Sequence, residues 1–373
     1  MKTIFAEMRN WRRDIHKHPE LGFDETRTSD KIAELLSDFG VEVHMGIGGT
    51  GVVGVLKRGT SEKAIGLRAD MDALPIEEKG EHEHTSINKG VFHGCGHDGH
   101  SAMLLGAAKY LSEKCDFDGT VYFIFQPSEE NGLGALAMMS DGLFDQFPMS
   151  AIYGLHNMPG IKKGQMMTSE DNFVIELSGL GGHSSMPNKC RDPLVAGAEV
   201  VTGLQSIVSR NLGPEEWGVV SITEFKTDGA RNIISSNVII KGDVRALDPA
   251  VQEKIETRMR EIVAGIADGY RIDASVDYSH EFIVLSNSKP ETNAAVKAAK
   301  ATVGAPMVDG NCDVAACSED FAQFLAKVPG CFILMGVGEG AAQLHNPHYD
   351  YEDETLVVGA SYWVNLTLQQ LAQ

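Results

Sequence analysis

The chain has 373 residues, 32 Lys and Arg against 52 Asp and Glu, and a net charge of −20 with histidine neutral. That charge repels duplex nucleic acid and anionic membrane surfaces, and no apolar run reaches the roughly 20 residues of a membrane helix. The opening stretch turns polar too early for a signal peptide, so a cytoplasmic protein acting on a small molecule is expected. At roughly 100–200 residues per domain two domains are expected, and 43% hydrophobic residues supply their cores without disulfide staples.

In chain order, Ile32, Leu35 and Leu36 share one face of a helix that Gly40 ends. Gly46-Ile-Gly48-Gly-Thr-Gly51 matches GxGxxG by letter. A strand-like run at 52–56 follows it where a dinucleotide site needs a helix, and that reading fails. Short apolar runs at 64–67, 120–125, 151–155 and 331–335 predict strands covered on both faces of an α/β sheet. Met103, Leu104, Ala107, Ala108 and Leu111 line one face of a helix after Gly99. Glu81-His-Glu-His84 reads as a solvated charged loop.

The middle of the chain has another rhythm. Residues 172–180 predict a strand, 192–211 a helix, 217–227 and 233–246 two strands, 249–269 a helix and 271–281 a strand, with Pro249 suited to a first helical turn. That β-α-β-β-α-β order is the split βαβ, ferredoxin-like pattern. A small α+β domain at 170–283 is therefore expected, inserted into a larger α/β domain made of 1–169 and 284–373.

The chemistry-bearing residues follow the predicted strands. Asp70 and Asp72 follow the first, Glu129 and Glu130 the second, His156 ends the third, and His345 lies in a loop after the fourth. Cys95 and His97 come just before the helix. In open α/β sheets, ligands gather at the carboxyl ends of strands. Singly, Cys95 reads as a small buried filler, the glutamate pair as a solvated loop and His156 as a core histidine. Together, thiolate, imidazole and carboxylate suit a borderline-soft divalent cation such as Zn²⁺, with Mn²⁺, Co²⁺ and Ni²⁺ as alternatives. Two carboxylates at the end of a buried strand are also costly to place without a cation. His93, His100 and His348 crowd the same stretches without an evident duty, and the other five cysteines receive no role.

Arg12-Arg-Asp-Ile-His16-Lys-His-Pro19-Glu20, the segment from Arg68 to Pro75, Gly94-Cys-Gly-His-Asp-Gly-His100, Phe125-Gln-Pro-Ser-Glu-Glu130, Gly182-His183-Ser-Ser-Met-Pro187, Ser318-Glu-Asp-Phe321 and Leu344-His-Asn-Pro347 run in order through the chain. With these motifs the sequence resembles the amidohydrolase branch of the M20 metallopeptidase family, which includes hippurate hydrolases, N-acyl-amino-acid amidohydrolases and auxin-conjugate hydrolases. The resemblance implies a mixed-sheet α/β/α catalytic domain of the zinc-aminopeptidase kind carrying an inserted ferredoxin-like lid and dimerisation domain. It implies two divalent metal ions per subunit, with Cys95 bridging, His97 and His156 completing one site, and Glu130 and His345 the other. Glu129 is left free as general base, and Asp72 orients His97 from behind. In distant members a histidine stands where this chain has Asp70, and His97 takes its place.

By the same resemblance His183 serves the developing oxyanion across a dimer, and Asn232 and Arg245 hold the substrate's free carboxylate. Arg245 also reads as an ordinary ion-pair partner. The expected activity is metal-dependent hydrolysis of N-acyl-L-amino acids by a homodimer or homotetramer joined through the lid. A dipeptidase or carboxypeptidase using the same centre is the rival enzyme, and a non-catalytic metal-binding relative the rival from another class.

Overall fold

The computed structural model describes residues 2–159, 169–246, 248–282, 285–310, 319–338 and 340–372. Cys312, Cys317 and Ser318 lie outside the described residues, and the expected domain boundaries adjoin stretches that do too. The described residues form two compact units, the first from both ends of the chain and the second from its middle.

The first unit opens with α1 (Phe5–Lys17) and α2 (Thr26–Asp38), then β1 (Glu42–Ile47), β2 (Gly51–Arg58), β3 (Ala64–Asp70), α3 (His97–Lys114), β4 (Gly119–Gln126), α4 (Gly134–Ser140), α5 (Leu143–Gln146) and β5 (Ala151–Met158). The second holds β6 (Ser169–Ser178), β7 (Gly182–His183), α6 (Pro193–Ser206), β8 (Gly218–Thr227), β9 (Ile233–Ile234), β10 (Asn237–Ala246), α7 (Pro249–Tyr270) and β11 (Asp273–Phe282). The chain then returns to the first unit with α8 (Lys289–Val303), α9 (Phe321–Leu325), β12 (Gly330–Gly336) and α10 (Leu356–Gln370).

In the first unit the sheet order is β1-β2-β4-β3-β5-β12. The pairs β4–β3, β3–β5 and β5–β12 are parallel, while β2 runs antiparallel to both β1 and β4. Every residue of β3 and β4 is buried, as strands covered on both faces require. Ile65, Leu67, Val121, Phe123 and Phe125 share one core with Met8 of α1, Leu36 of α2, Ala102 of α3, Ala298 of α8 and Trp363 of α10. The alternate residues point the other way; there Phe332 of β12 packs against Phe321 of α9, ring centroids 5.2 Å apart and planes tilted by 43°. Because β3, β4, β5 and β12 are parallel, their carboxyl ends share one rim.

The second unit is a four-stranded antiparallel sheet in the order β11-β6-β10-β8, the ferredoxin-like arrangement. β10 alternates buried and less buried residues. Its Val238, Ile240 and Val244 pack with Ala196, Val200 and Leu204 of α6 and Ile255, Met259 and Val263 of α7. Both helices start the same way: Asp192 and Asp248 accept the backbone N–H two residues on, with Pro193 and Pro249 at the first helical position. The strand expected at 233–246 is in fact two. Asp228 Oδ1 accepts the N–H groups of Ser236 and Asn237 at 2.8 and 3.0 Å, and Ile233 and Ile234 pair instead with β7. The helix expected to reach 211 changes to a π turn at Ile207–Asn211.

Candidate metal centre

Each candidate side chain arrives at the rim for a local reason. His97 is the first residue of α3, behind Gly96 at φ +94. Only glycine fits there, since a Cβ would meet Asn157 Oδ1 at 2.6 Å and Tyr349 Oη at 2.8 Å. Glu129 and Glu130 follow β4 through Ser128, a left-handed residue at φ +54. His345 is also left-handed, at φ +63, and its N–H donates to Gly94 O at 2.8 Å. Backbone held in this region needs support from its surroundings and marks candidate functional positions.

The side chains converge. Ligand atoms of Cys95, His97 and His156 lie within 4.8 Å of one another, as do those of Cys95, Glu130 and His345 and those of His97, Glu129 and Glu130. Cys95 Sγ is 3.4 Å from His156 Nε2. His156 donates Nδ1–H to Asn157 O at 2.6 Å, so its Nε2 carries the free lone pair. His97 Nδ1 bonds Asp72 Oδ1 at 3.0 Å, while the other Asp72 oxygen accepts the Glu130 N–H at 3.0 Å. His97 Nε2 then faces Glu130 Oε1 at 3.7 Å and Glu129 Oε2 at 4.0 Å. His345 Nε2 lies 3.6 Å from Glu130 Oε2.

These residues fit a cation. His97 Nε2 and Glu130 Oε1 are buried and have no hydrogen-bond partner, a costly state unless something binds both. Burial, then Glu130 and Glu129, push the Cys95 thiol well above its ordinary range. Burial pushes Glu130 up to about 7 even with His97 beside it. Burial alone would lower His97, but Asp70, Asp72 and Glu130 raise it to about 10. The cluster therefore draws positive charge onto itself. Burial keeps His156 well below its usual value, and His345 lower too, so both are neutral imidazoles able to bind metal. Glu129 is pushed well above the carboxylate range by burial, then by Glu319 and Glu130.

Both Asp70 oxygens are engaged, and its Oδ2 also lies 3.8 Å from His97 Nε2. Its Oδ1 bonds His100 at 2.5 Å and its Oδ2 bonds Arg68 at 2.7 Å. Arg68, fully buried, also pairs with Glu319 at 2.7 Å and Asp320 at 3.2 Å. His100 bridges Asp70 to Asn157, whose Oδ1 lies 2.6 Å from Nε2. These partners were not legible from spacing, since Arg68 and Glu319 stand 251 residues apart. His348 is exposed, and His93 is buried with neither ring nitrogen bonded.

A second acidic and histidine cluster, His16, His84 and Asp350, corrects the reading of 81–84 as solvated at one position: Glu81, His82 and Glu83 are exposed, but His84 is buried. It contains its own cation. Arg12 reaches Asp350 at 2.8 Å, His84 at 3.3 Å and Asp98 at 3.4 Å, which leaves no call for a metal.

His183, Asn232 and Arg245 belong to the second unit. His183 is exposed on β7; its Nδ1 accepts the Ser185 N–H at 3.2 Å, which puts the proton of the neutral ring on Nε2. Asn232 is exposed beside it, its carbonyl accepting the Ser184 N–H at 3.1 Å. Arg245 Nε pairs with Asp243 at 3.1 Å.

The model of peptidase family M20/M25/M40 matches residues 66–369. The chain is 42% identical to the hippurate hydrolase of Campylobacter jejuni over 98% of this chain and 97% of that protein. It is 35% identical to the N-acetylcysteine deacetylase of Bacillus subtilis, again over 98% and 97%. The crystal structure of the B. subtilis YXEP protein, described as a dinuclear metal-binding peptidase from the M20 family, matches with a TM-score of 0.83 and 32% identity, over 100% of this chain and 99% of that one. The chain belongs to peptidase family M20/M25/M40, and so to a family of hydrolases that cleave amide bonds.

Proposed function

We propose that the protein hydrolyses the amide bond of N-acyl-L-amino acids, releasing a carboxylic acid and a free amino acid. Two divalent cations would be held here, one by Cys95, His97 and His156 and the other by Cys95, Glu130 and His345. Zn²⁺, Mn²⁺, Co²⁺ and Ni²⁺ all suit this donor set. The observation that carries the proposal is the pair of three-residue clusters sharing Cys95, neither of which needs Glu129, whose carboxylate lies beside His97 and Glu130, in a chain so similar to a hippurate hydrolase.

When bound, such a cation pair polarises an amide carbonyl and makes water a better nucleophile at neutral pH. Glu129 takes a proton from the attacking water on a carboxylate oxygen and delivers it to the leaving nitrogen. Asp72 fixes the His97 tautomer through Nδ1. The second unit acts in this proposal as lid and dimerisation domain. From it, His183 would donate Nε2–H to the developing oxyanion across the dimer, and Asn232 and Arg245 would hold the free carboxylate of the substrate, for which a guanidinium is well shaped. Among the described residues no helix is long and apolar enough to cross a membrane; the proposed setting is the cytoplasm.

The test is a substrate panel with Mn²⁺- or Zn²⁺-loaded protein. Hippurate or N-acetyl amino acids should be cleaved with kcat/KM at least about ten-fold above unblocked dipeptides, a gap of roughly 1.4 kcal/mol. The reverse preference supports a dipeptidase, and no cleavage at all supports a non-catalytic relative.

A further inference from the structure

Among the described residues four non-glycines have left-handed backbone: Phe23, Ser128, Arg271 and His345. Ser128 stands directly before Glu129 and Glu130, so its conformation decides where both carboxylates go. Its carbonyl accepts the Gly134 N–H at 3.0 Å, and the rest of what holds it comes from two stretches to which the chemistry above gives no part. Glu25, fully buried at the start of α2, accepts the Ser128 N–H on Oε1 at 2.8 Å and the Thr50 hydroxyl on Oε2 at 2.5 Å. Thr50 lies in the glycine-rich turn between β1 and β2, tied to α2 by the Ser29 hydroxyl on its carbonyl at 2.6 Å. Gly22 closes the remaining side, where a Cβ would fall 2.3 Å from Ser128 Oγ.

Glu25 does not cap its own helix. Glu20 does that, accepting the N–H groups of Arg27 and Thr28 at 3.0 and 2.8 Å. The Glu25 carboxylate is thus committed to the turn that carries the glutamate pair. We propose that Glu25 is a positioning residue: by holding the Ser128 N–H it keeps Ser128 left-handed and aims Glu129 and Glu130 into the metal centre. The inference rests on the roles proposed above for those two glutamates. Burial pushes Glu25 up to about 7, so a neutral amide is a close substitute, its oxygen still accepting the Ser128 N–H while the Thr50 hydroxyl turns to accept.

The experiment compares wild type, Glu25→Ala, Glu25→Gln and Thr50→Val by steady-state kinetics on the best substrate and by the visible absorption of the cobalt-loaded proteins. Glu25→Ala should lower kcat by at least about ten-fold with KM within about two-fold, and should change the cobalt spectrum. Glu25→Gln should keep the wild-type spectrum and most of kcat, and Thr50→Val should fall between. Wild-type kcat and spectrum in Glu25→Ala, or Glu25→Gln as impaired as Glu25→Ala, overturns the proposal. If Glu25→Ala does not fold, Thr50→Val decides, and an unchanged kcat and spectrum there overturn it. A wild type that cleaves no N-acyl amino acid overturns the proposed function instead, and the cobalt spectra still judge Glu25.

Discussion

Asp72 lies 3.0 Å from His97 Nδ1 and so turns the opposite ring nitrogen, buried and unbonded, toward Glu130. The same carboxylate anchors the Glu130 backbone. One second-row acid thus fixes one residue of each proposed metal site, and the predictions below follow from that arrangement and its neighbours.

Glu129 touches the cluster but is not needed to complete either three-residue site. Glu129→Gln should keep both metal ions by elemental analysis and lose about 10²- to 10⁴-fold in kcat, the usual range for a lost general base. Near-normal turnover with full metal content assigns the proton transfer elsewhere.

Cys95 belongs to both proposed sites, His345 to one. Mass-spectrometric metal counting should therefore find that Cys95→Ala weakens both ions while His345→Ala leaves one in place. Chelation of both should lower the melting temperature of the wild type, because the buried thiol and carboxylates are left without a compensating cation.

Gly96→Ala combines a positive φ with contacts of 2.6 and 2.8 Å to Asn157 and Tyr349. The strain should cost at least about 1–3 kcal/mol, read as a lower denaturant midpoint. A stability equal to wild type means that the α3 start can shift freely.

The Arg12 network gives a pH signature apart from the metal centre. Burial alone would lower His16, but Asp98 at 2.8 Å and Glu78 at 3.3 Å raise it to about 9. A folded-state pKa above the ordinary value of about 6.5 contributes stability that is complete below that value and lost as pH rises through about 9. The loss is roughly 3 kcal/mol. Urea midpoints between pH 6 and 10 should fall steeply for wild type and much less for His16→Gln. Parallel curves contradict the pairing.

The parts of the fold legible in the sequence were those whose burial leaves a strong pattern. β3, β4, β5 and β12 are covered on both faces and read as apolar runs, and the helix of α3 was legible from Met103, Leu104, Ala107, Ala108 and Leu111, although every residue from His97 to Ala108 is buried. β1 is an exposed edge strand with little pattern, and the two buried side chains of α8 are alanines, too small to mark a face. The cysteine, histidines and glutamates stood out because four separate segments delivered them, one opening α3 and the others lying in or after β4, β5 and β12. Arg68, Arg12 and Glu25 did not, because each has a decisive partner more than 80 residues away that no spacing links. The break between β9 and β10 hides for a different reason, being set by Asp228, eight residues upstream, rather than by the strand's own residues.

The most direct measurement is anomalous diffraction from crystals loaded with Mn²⁺ or Zn²⁺. Two peaks roughly 3.5–4 Å apart are expected, both within bonding distance of Cys95 Sγ, one also bound by His97 and His156 and the other by Glu130 and His345. A single peak, or density at His16, His84 and Asp350 with the Cys95 cluster empty, contradicts the account.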